Sequence, residues 1–163
     1  MNTLSPLSLQ LNDVRQLSSF IDQIISAPDS GYKEKVMRIV AARGDMTNDE
    51  IISLLINTAL EQVDEANAHW TYVAARIYLH NLYRKAAENR GYDPAQSYGD
   101  YYELQKQLTA MGIYSPSILE NYAEAEIREA ARLIDPKRDL LFDYIGLHTL
   151  AARYLATDHN KRT

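Results

Sequence analysis

The chain has 163 residues, of which 46% are hydrophobic and 24% charged, and its formal net charge is −5. This is the length and composition of a single globular domain with a core of its own, and the mild negative charge gives no field that would attract nucleic acid or an anionic membrane. No apolar run is long enough to cross a bilayer, and the N-terminus lacks the basic start and apolar core of a signal peptide. We therefore expect a cytoplasmic protein that has neither nucleic acid nor a membrane as a partner.

Helical patterns begin after a short N-terminal segment. Residues 1–11 show little periodicity and predict a mobile arm. Asn12 is placed to cap a first helix over residues 14–25, and Ser30 to cap a second helix that Gly44 ends. The apolar positions that recur at helical spacing are Val14, Leu17, Phe20, Ile21, Ile24 and Ile25 in the first helix, and Val36, Met37 and Val40 in the second.

The third helix has the clearest start signal in the sequence. Thr47 and Glu50 have the spacing of a capping box, in which each side chain accepts a hydrogen bond from the backbone N–H of the other residue. Met46 and Ile51 are placed to form a hydrophobic staple across that start. The apolar set that follows is wide enough to contact two partners and consists of Ile51, Ile52, Leu54, Leu55, Ile56, Ala59 and Val63.

The segment 70–90 is apolar on nearly every side, which is typical of a helix with neighbours on several faces. We predict it to be the central, buried helix of the domain, ended by Gly91. Arg84 and Lys85 lie near its C-terminal end, where cations complement the helix dipole. The apolar residues are Trp70, Tyr72, Val73, Ala74, Ala75, Ile77, Tyr78, Leu79, Leu82, Tyr83 and Ala86.

The remaining sequence predicts a turn-rich loop and three shorter helices. The loop covers residues 92–99. Asp100 is placed to cap the next helix, which Gly112 ends, and Ser115 and Pro116 start a helix of one or two turns. A further helix is predicted from Glu124 to Ile134, where Asp135 and Pro136 stop it.

A second buried helix is predicted at 139–155, after a short turn at 136–139, because its residues are again apolar on almost all sides. No stretch alternates with period two long enough to form a strand. We therefore predict a compact all-α domain over residues 12–158 with two buried helices, at about 70–90 and 139–155. Residues 159–163 form a polar tail.

The chemistry of known active sites is largely missing from the sequence. The chain has no cysteine, which excludes disulfides, thiolate ligands and any thiol or thiyl chemistry by this chain itself. Glu61, Glu65 and His69 have a spacing that one helix face can share, but a solvated polar face explains them better than a metal site. His80 and His148 are interpreted as core residues. We expect no catalytic, cofactor-binding or metal-binding residue.

Basic and aromatic residues give only a weak binding signal. Arg84, Lys85 and Arg90 have a spacing that can hold a phosphate, although helix C-termini commonly carry cations for dipole reasons alone. The 12 tyrosines fall mostly on apolar helix faces without interleaved cations, so packing explains them better than base stacking. The residues by themselves therefore indicate a helical domain without a site of its own.

Three blocks of the sequence resemble one known family. They are WTYVAARIYLHNLYRKA, YGDYYELQKQLTAMGIYSPSILENY and LIDPKRDLLFDYIGLHTLAARYL, in this order. Together they resemble the N-terminal all-helical domain of the ribonucleotide reductase large (α) subunit, of the class I type found in bacteria and their phages. The resemblance covers about residues 47–158.

In that family the helical domain precedes a ten-stranded α/β barrel, which reduces ribonucleoside diphosphates through a thiyl radical. The resemblance therefore implies a supporting, non-catalytic role in the production of deoxyribonucleotides for DNA synthesis. The implied partners are the catalytic barrel portion of the large subunit and the radical-generating small (β) subunit. The catalytic residues of the barrel are absent from this chain, and the tail at 159–163 would lead toward the barrel. We expect the isolated chain to be inactive.

Many members of the family begin with an ATP-cone, in which an N-terminal hairpin helps to bind ATP or dATP. Residues 1–46 contain no such hairpin. Arg84 and Lys85 fall where the family places a basic nucleotide contact, and Thr47 or Asn48 falls near another. Because the site is incomplete, we do not assign these residues to nucleotide binding, and we expect ATP and dATP to act as allosteric effectors only in the complete enzyme.

An alternative function belongs to a different class. The chain can be a freestanding helical interaction or regulatory module without enzyme activity. An exposed apolar patch of the kind that a barrel would cover favours the reductase interpretation, and a fully polar surface favours the alternative.

Overall fold

The computed structural model describes residues 10–25, 30–93 and 96–157. Every regular element within these ranges is helical, which confirms the all-α prediction. The elements are α1 (Val14–Ile24), α2 (Ser30–Arg43), α3 (Asn48–Leu60), α4 (Trp70–Arg90), α5 (Tyr101–Ala110), α6 (Ser117–Asn121), α7 (Glu124–Ala131), a 3-10 helix (Pro136–Leu141) and α8 (Tyr144–Arg153). The predicted arm at 1–9, most of the turn before α2 and the polar tail at 159–163 lie outside the described residues.

Helix α4 is the central helix, as predicted. It contacts α1, α3, α8 and the 3-10 helix, and Trp70 at its start is only 3% exposed. Gly91 ends it with a φ of 73°, a left-handed conformation that glycine adopts without steric cost. The buried apolar residues of the surrounding core are Leu11, Leu17, Phe20, Ile21, Ile24, Tyr32, Val36, Val40, Met46, Ile51, Ile52, Leu55, Ile56, Ala59, Val73, Ala74 and Ile77.

The starts of the first three helices agree with the sequence to different degrees. The capping box at α3 is confirmed, since Thr47 N–H donates to Glu50 Oε2 at 2.8 Å and Glu50 N–H donates to Thr47 Oγ1 at 3.3 Å. The prediction that Asn12 caps α1 is wrong, because Asp13 has the extended backbone of a cap and accepts from the first-turn N–H groups. The prediction that Ser30 caps α2 is also wrong, because Ser30 is itself the first helical residue.

The core reaches into the segment that was predicted to be an arm. Leu11 is 3% exposed and belongs to the core around α4. Its backbone N–H donates to Asn48 Oδ1 at 2.9 Å. This hydrogen bond connects the segment just before α1 with the first residue of α3. Leu11 therefore packs in the core, although the sequence predicts it to belong to the arm.

The prediction of a second buried helix at 139–155 is wrong. The backbone is extended at Phe142 and Asp143, so the segment divides into the 3-10 helix and α8, and the Asp143 carboxylate caps α8 by accepting from the Gly146 N–H at 2.7 Å. Leu147 is the buried residue of α8. Since α8 packs chiefly on α4, apolar side chains that lie away from α4, such as Ile145, remain exposed.

Two other helices end earlier than the sequence indicates. Helix α3 ends at Leu60 and leaves Val63 exposed, and α7 ends at Ala131 and leaves Ile134 exposed.

Helix α5 packs on α6 and α7. Arg128 of α7 connects α7 to α5 by pairing with Asp100, the residue that caps α5.

Candidate docking surface

The structure brings the predicted basic residues of α4 to the N-terminus of α3. Arg84 Nη2 lies 3.0 Å from Asp49 Oδ1, and Lys85 Nζ lies 3.1 Å from Asp49 Oδ2. Arg84 also pairs with Glu88 Oε1 at 2.7 Å and donates to Asn81 Oδ1 at 2.8 Å. Both cations are thus partly neutralised within the fold, and an incoming phosphate would compete with the Asp49 carboxylate for them.

Thr47 lies close to this group in sequence, but its side chain is engaged in the capping box of α3. Arg90, the third cation of the predicted phosphate cluster, has different partners. Its Nη1 donates to the Tyr98 carbonyl oxygen at 3.1 Å, and its guanidinium carbon lies 4.7 Å from the centre of the Tyr92 ring. The three predicted cations are therefore divided between two environments, and they do not form one phosphate cradle.

The two histidines of interest also have different surroundings. His80 packs against Phe20 of α1 at a centroid distance of 4.8 Å, with the two rings tilted by 58°. Burial, together with the nearby Arg84 charge, lowers the pKa of His80 to about 4, so its imidazole is neutral at physiological pH. His148 is exposed on α8 beside Tyr78 and does not belong to the core. The interpretation as a core residue fits His80, which is partly buried against α1, and is wrong for His148.

Metal-ligand patterns do not come together in the fold. Glu61, Glu65 and His69 do not share a helix face, because α3 ends at Leu60 and α4 begins at Trp70. Glu61 instead pairs with Lys35 at 2.6 Å. In residues 10–25, 30–93 and 96–157 no group of three or more histidine or acidic side chains is arranged to hold a metal ion.

The most unusual surface lies in the last third of the described chain. Large apolar side chains are exposed there within a span of 23 residues, and Leu141 and Ile145 are 75% and 72% exposed. We use the name C-terminal apolar face for the exposed large apolar side chains of this segment, which are Leu133, Ile134, Leu140, Leu141, Phe142, Ile145, Tyr154 and Leu155. A concentration of exposed apolar residues of this kind marks an interaction site more often than a free surface.

The inner side of the same segment is fixed to α4 by polar and apolar contacts. Leu147 packs with Ala75 and Leu79, and the Tyr144 ring meets the Tyr78 ring edge-on at 5.7 Å. Toward the 3-10 helix, Asp139 Oδ2 accepts a hydrogen bond from Tyr83 Oη at 2.6 Å. The segment is therefore attached to the core on one side, while its other side is open.

A second tyrosine joins the same carboxylate oxygen. Tyr98 Oη also donates to Asp139 Oδ2, and the Tyr83 and Tyr98 rings lie edge-to-face at 5.6 Å. We call these three residues the Asp139 cluster. Burial, followed by the hydrogen bond to Asp139, raises the pKa of Tyr98 to about 12, and the pKa of Tyr83 is raised for the same reasons. Both phenols therefore remain protonated donors at any physiological pH.

The chain was compared with known proteins. No family model matches it. It is 32% identical to the ribonucleoside-diphosphate reductase subunit alpha of Helicobacter pylori over 119 residues, which are 72% of this chain and 14% of that subunit. It is 34% identical to the subunit alpha of Synechocystis over 113 residues, which are 69% of this chain and 14% of that subunit. It is 31% identical to the subunit alpha of enterobacteria phage T4 over 116 residues, which are 71% of this chain and 15% of that subunit.

The chain is homologous to the ribonucleotide reductase large subunit. Its match spans only about one seventh of the length of the curated relatives, which is consistent with an N-terminal portion of that subunit. No helix within the described residues combines the length and the apolar character that a membrane span requires.

Sequence reasoning missed two features of this reductase-like domain. It predicted that the apolar residues of 139–155 would be internal, whereas most of them are exposed. It also did not predict that Tyr83 and Tyr98 would both bond to Asp139, from which they are 56 and 41 residues away along the chain. A single sequence carries no local pattern that would join such distant residues.

Proposed function

We propose that this chain is the non-catalytic, helical N-terminal portion of the large subunit of a ribonucleoside-diphosphate reductase. Its function would be to support the catalytic barrel in the reduction of ribonucleotides to deoxyribonucleotides. The observation that carries the proposal is the C-terminal apolar face, because its large side chains remain open on a domain whose first half is well packed.

The relatives support the choice of the remaining large subunit as the proposed partner. Their alpha subunits extend well beyond the matched segment, so most of a large subunit lies outside the matched residues. Burial of exposed leucine and phenylalanine side chains would favour association by roughly 25 cal/mol for each Å² removed from water. The alternative of a freestanding helical interaction or regulatory module is less favoured, because the matched relatives are alpha subunits of a reductase.

A reconstitution assay tests the proposed function. The chain, the barrel portion of the large subunit and the radical-generating small subunit are mixed, and deoxynucleotide formed from a ribonucleoside diphosphate is measured with each component omitted in turn. We expect product only when all three are present, because a chain without cysteine supplies neither a thiyl radical nor a reducing thiol pair. Equal activity without this chain would reject a supporting role, and turnover by this chain alone would reject the chemical argument.

We further propose that ATP and dATP bind the isolated chain weakly or not at all. Asp49 already occupies Arg84 and Lys85, and Thr47 is committed to its capping box. Titration calorimetry with each nucleotide should give no saturable heat in the micromolar range. Micromolar binding that Arg84→Ala abolishes, and that the matched exposed variant Arg15→Ala leaves intact, would contradict this proposal.

A further inference from the structure

The 3-10 helix has no fully buried residue, so apolar packing contributes little to holding it in place. Short 3-10 segments have little stability of their own. The two residues that are partly covered are Pro136 and Asp139, which face the same side because a 3-10 helix has three residues per turn. The Asp139 cluster is therefore the principal polar attachment between this segment and the rest of the fold.

The third participant, Tyr98, is itself held by contacts with Arg90 and by its neighbours in the chain. Arg90 Nη1 donates to the Tyr98 carbonyl oxygen at 3.1 Å, and Tyr92 Oη donates to the Ser97 carbonyl oxygen at 2.8 Å. Gly99 has a φ of +68°, and a Cβ at that position would lie 3.1 Å from the Tyr92 ring. These contacts hold residues 97–99 against Tyr92 and Arg90, next to the hydroxyl that Tyr98 donates to Asp139.

The outward side of the 3-10 helix combines two leucines with two cations. Lys137 and Leu140 are three residues apart, as are Arg138 and Leu141, so each pair shares a side of the helix. All four side chains are exposed. No acidic side chain within the described part of the chain forms an ion pair with Lys137 or Arg138. We call these four residues the docking edge.

We propose that the docking edge is a preformed binding element for an apolar surface of the remaining large subunit that is bordered by carboxylates, and that the Asp139 cluster positions it. This inference rests on the proposed function. The two leucines require apolar pockets, and the two cations favour acidic groups at the border of those pockets. The cluster itself does not contact the partner. It holds the docking edge in its bound conformation, so that binding does not lose the conformational entropy of ordering a loose segment.

The test measures the dissociation constant between the full chain and the barrel portion of the large subunit at low and at moderate salt. Leu141→Asp should weaken binding by about 100-fold, because a carboxylate replaces the exposed leucine in an apolar pocket. The double variant Lys137→Glu/Arg138→Glu should weaken binding by about tenfold and reduce its dependence on salt. Arg15→Glu on α1 is the matched control and should bind as the wild type does.

The positioning role is tested at Asp139. Asp139→Leu should weaken binding by about tenfold through the ordering cost of a loosened segment, with faster amide hydrogen exchange in residues 136–142 and unchanged exchange in α3 and α4. Asp139→Asn should bind within about threefold of the wild type, since both phenols donate to one oxygen that the amide carbonyl can replace. If Asp139→Leu does not fold, the double variant Tyr83→Phe/Tyr98→Phe replaces it, with exposed Tyr122→Phe as its control.

The outcomes separate the two proposals. If Leu141→Asp abolishes binding while the Asp139 and charge-reversal variants bind as the wild type does, the inference is overturned and the proposed function stands. A charge-reversal effect without an Asp139 effect overturns the positioning role. If the wild-type chain does not bind the barrel portion, or if Leu141→Asp binds equally well, the proposed function itself is overturned.

Discussion

The two halves of the molecule contain similar proportions of apolar residues but bury them to different extents. In residues 11–90 the apolar side chains of α1 to α4 interlock, and all but two of the buried apolar residues of the described chain lie there. In residues 100–157 those two, Ile127 and Leu147, are the only buried apolar side chains, and charged pairs and hydroxyl bonds provide much of the connection. The first half thus contains most of the buried core, and the second half leaves many of its large apolar side chains exposed.

The difference shows that hydrophobicity indicates a preference for burial and not the presence of a neighbour. Trp70 and Ile145 both belong to helices that are apolar on most sides, yet one is 3% and the other 72% exposed. Helix α4 has several neighbouring elements, whereas α8 packs chiefly on α4. Substitutions in the two halves should therefore have very different energetic effects.

The largest effect is expected at Trp70. Its ring packs against Tyr32 at a centroid distance of 4.9 Å, and Tyr32 Oη donates to the Leu55 carbonyl oxygen at 2.8 Å. Trp70→Ala should lower the free energy of unfolding by about 3 to 5 kcal/mol, since it leaves a large cavity in the core. Denaturant titration measures this loss. Tyr154→Ala, at a side chain that is 76% exposed, is the control and should change stability by less than about 0.5 kcal/mol; equal losses at both positions would contradict the division into two halves.

A second test uses pH to probe the same core at His80. The folded-state pKa is about 4, below the ordinary value of 6.5, because of burial first and the Arg84 charge second. As pH falls from 6.5 toward 4, the unfolded chain binds a proton that the folded chain does not, so stability decreases with acidity in this window. Between about pH 7 and pH 5 the loss should be about 1 to 2 kcal/mol.

The measurement for His80 is the free energy of unfolding at several pH values, compared with His80→Gln. That variant cannot titrate at this position and should show a smaller dependence on pH in the same window. An identical dependence in the two proteins would show that His80 is not responsible for it.

The capping box at α3 is expected to contribute less. Thr47→Ala removes the hydroxyl that accepts from the Glu50 N–H and should cost about 1 kcal/mol in unfolding free energy. Thr47→Ser keeps an oxygen at that position and should restore most of the stability. A loss in the serine variant as large as that in the alanine variant would assign the effect to the threonine methyl group.

The sequence was informative wherever structure depends on neighbours along the chain. The Thr47 capping box, the glycine stop at Gly91 and the all-round apolar character of α4 are local signals, and each is confirmed. The Asp139 cluster was not predictable, because two tyrosines and a carboxylate meet there from three separate segments. The open side of α8 was not predictable either, because a pattern of apolar residues does not state how many elements will surround it.

The smallest effect on stability is expected at Leu141, and it sharpens the comparison most. Leu141 is 75% exposed on the 3-10 helix, so Leu141→Asp removes little burial in the isolated chain and should change its unfolding free energy by less than about 0.5 kcal/mol. Leu55, which is 1% exposed, is the matched position in the first half, and Leu55→Ala should cost about 2 to 5 kcal/mol. Denaturant titration of both variants decides the question. A loss above about 2 kcal/mol for Leu141→Asp would mean that the leucine is covered within the chain itself, and the C-terminal apolar face would then be an internal surface with no need of a partner.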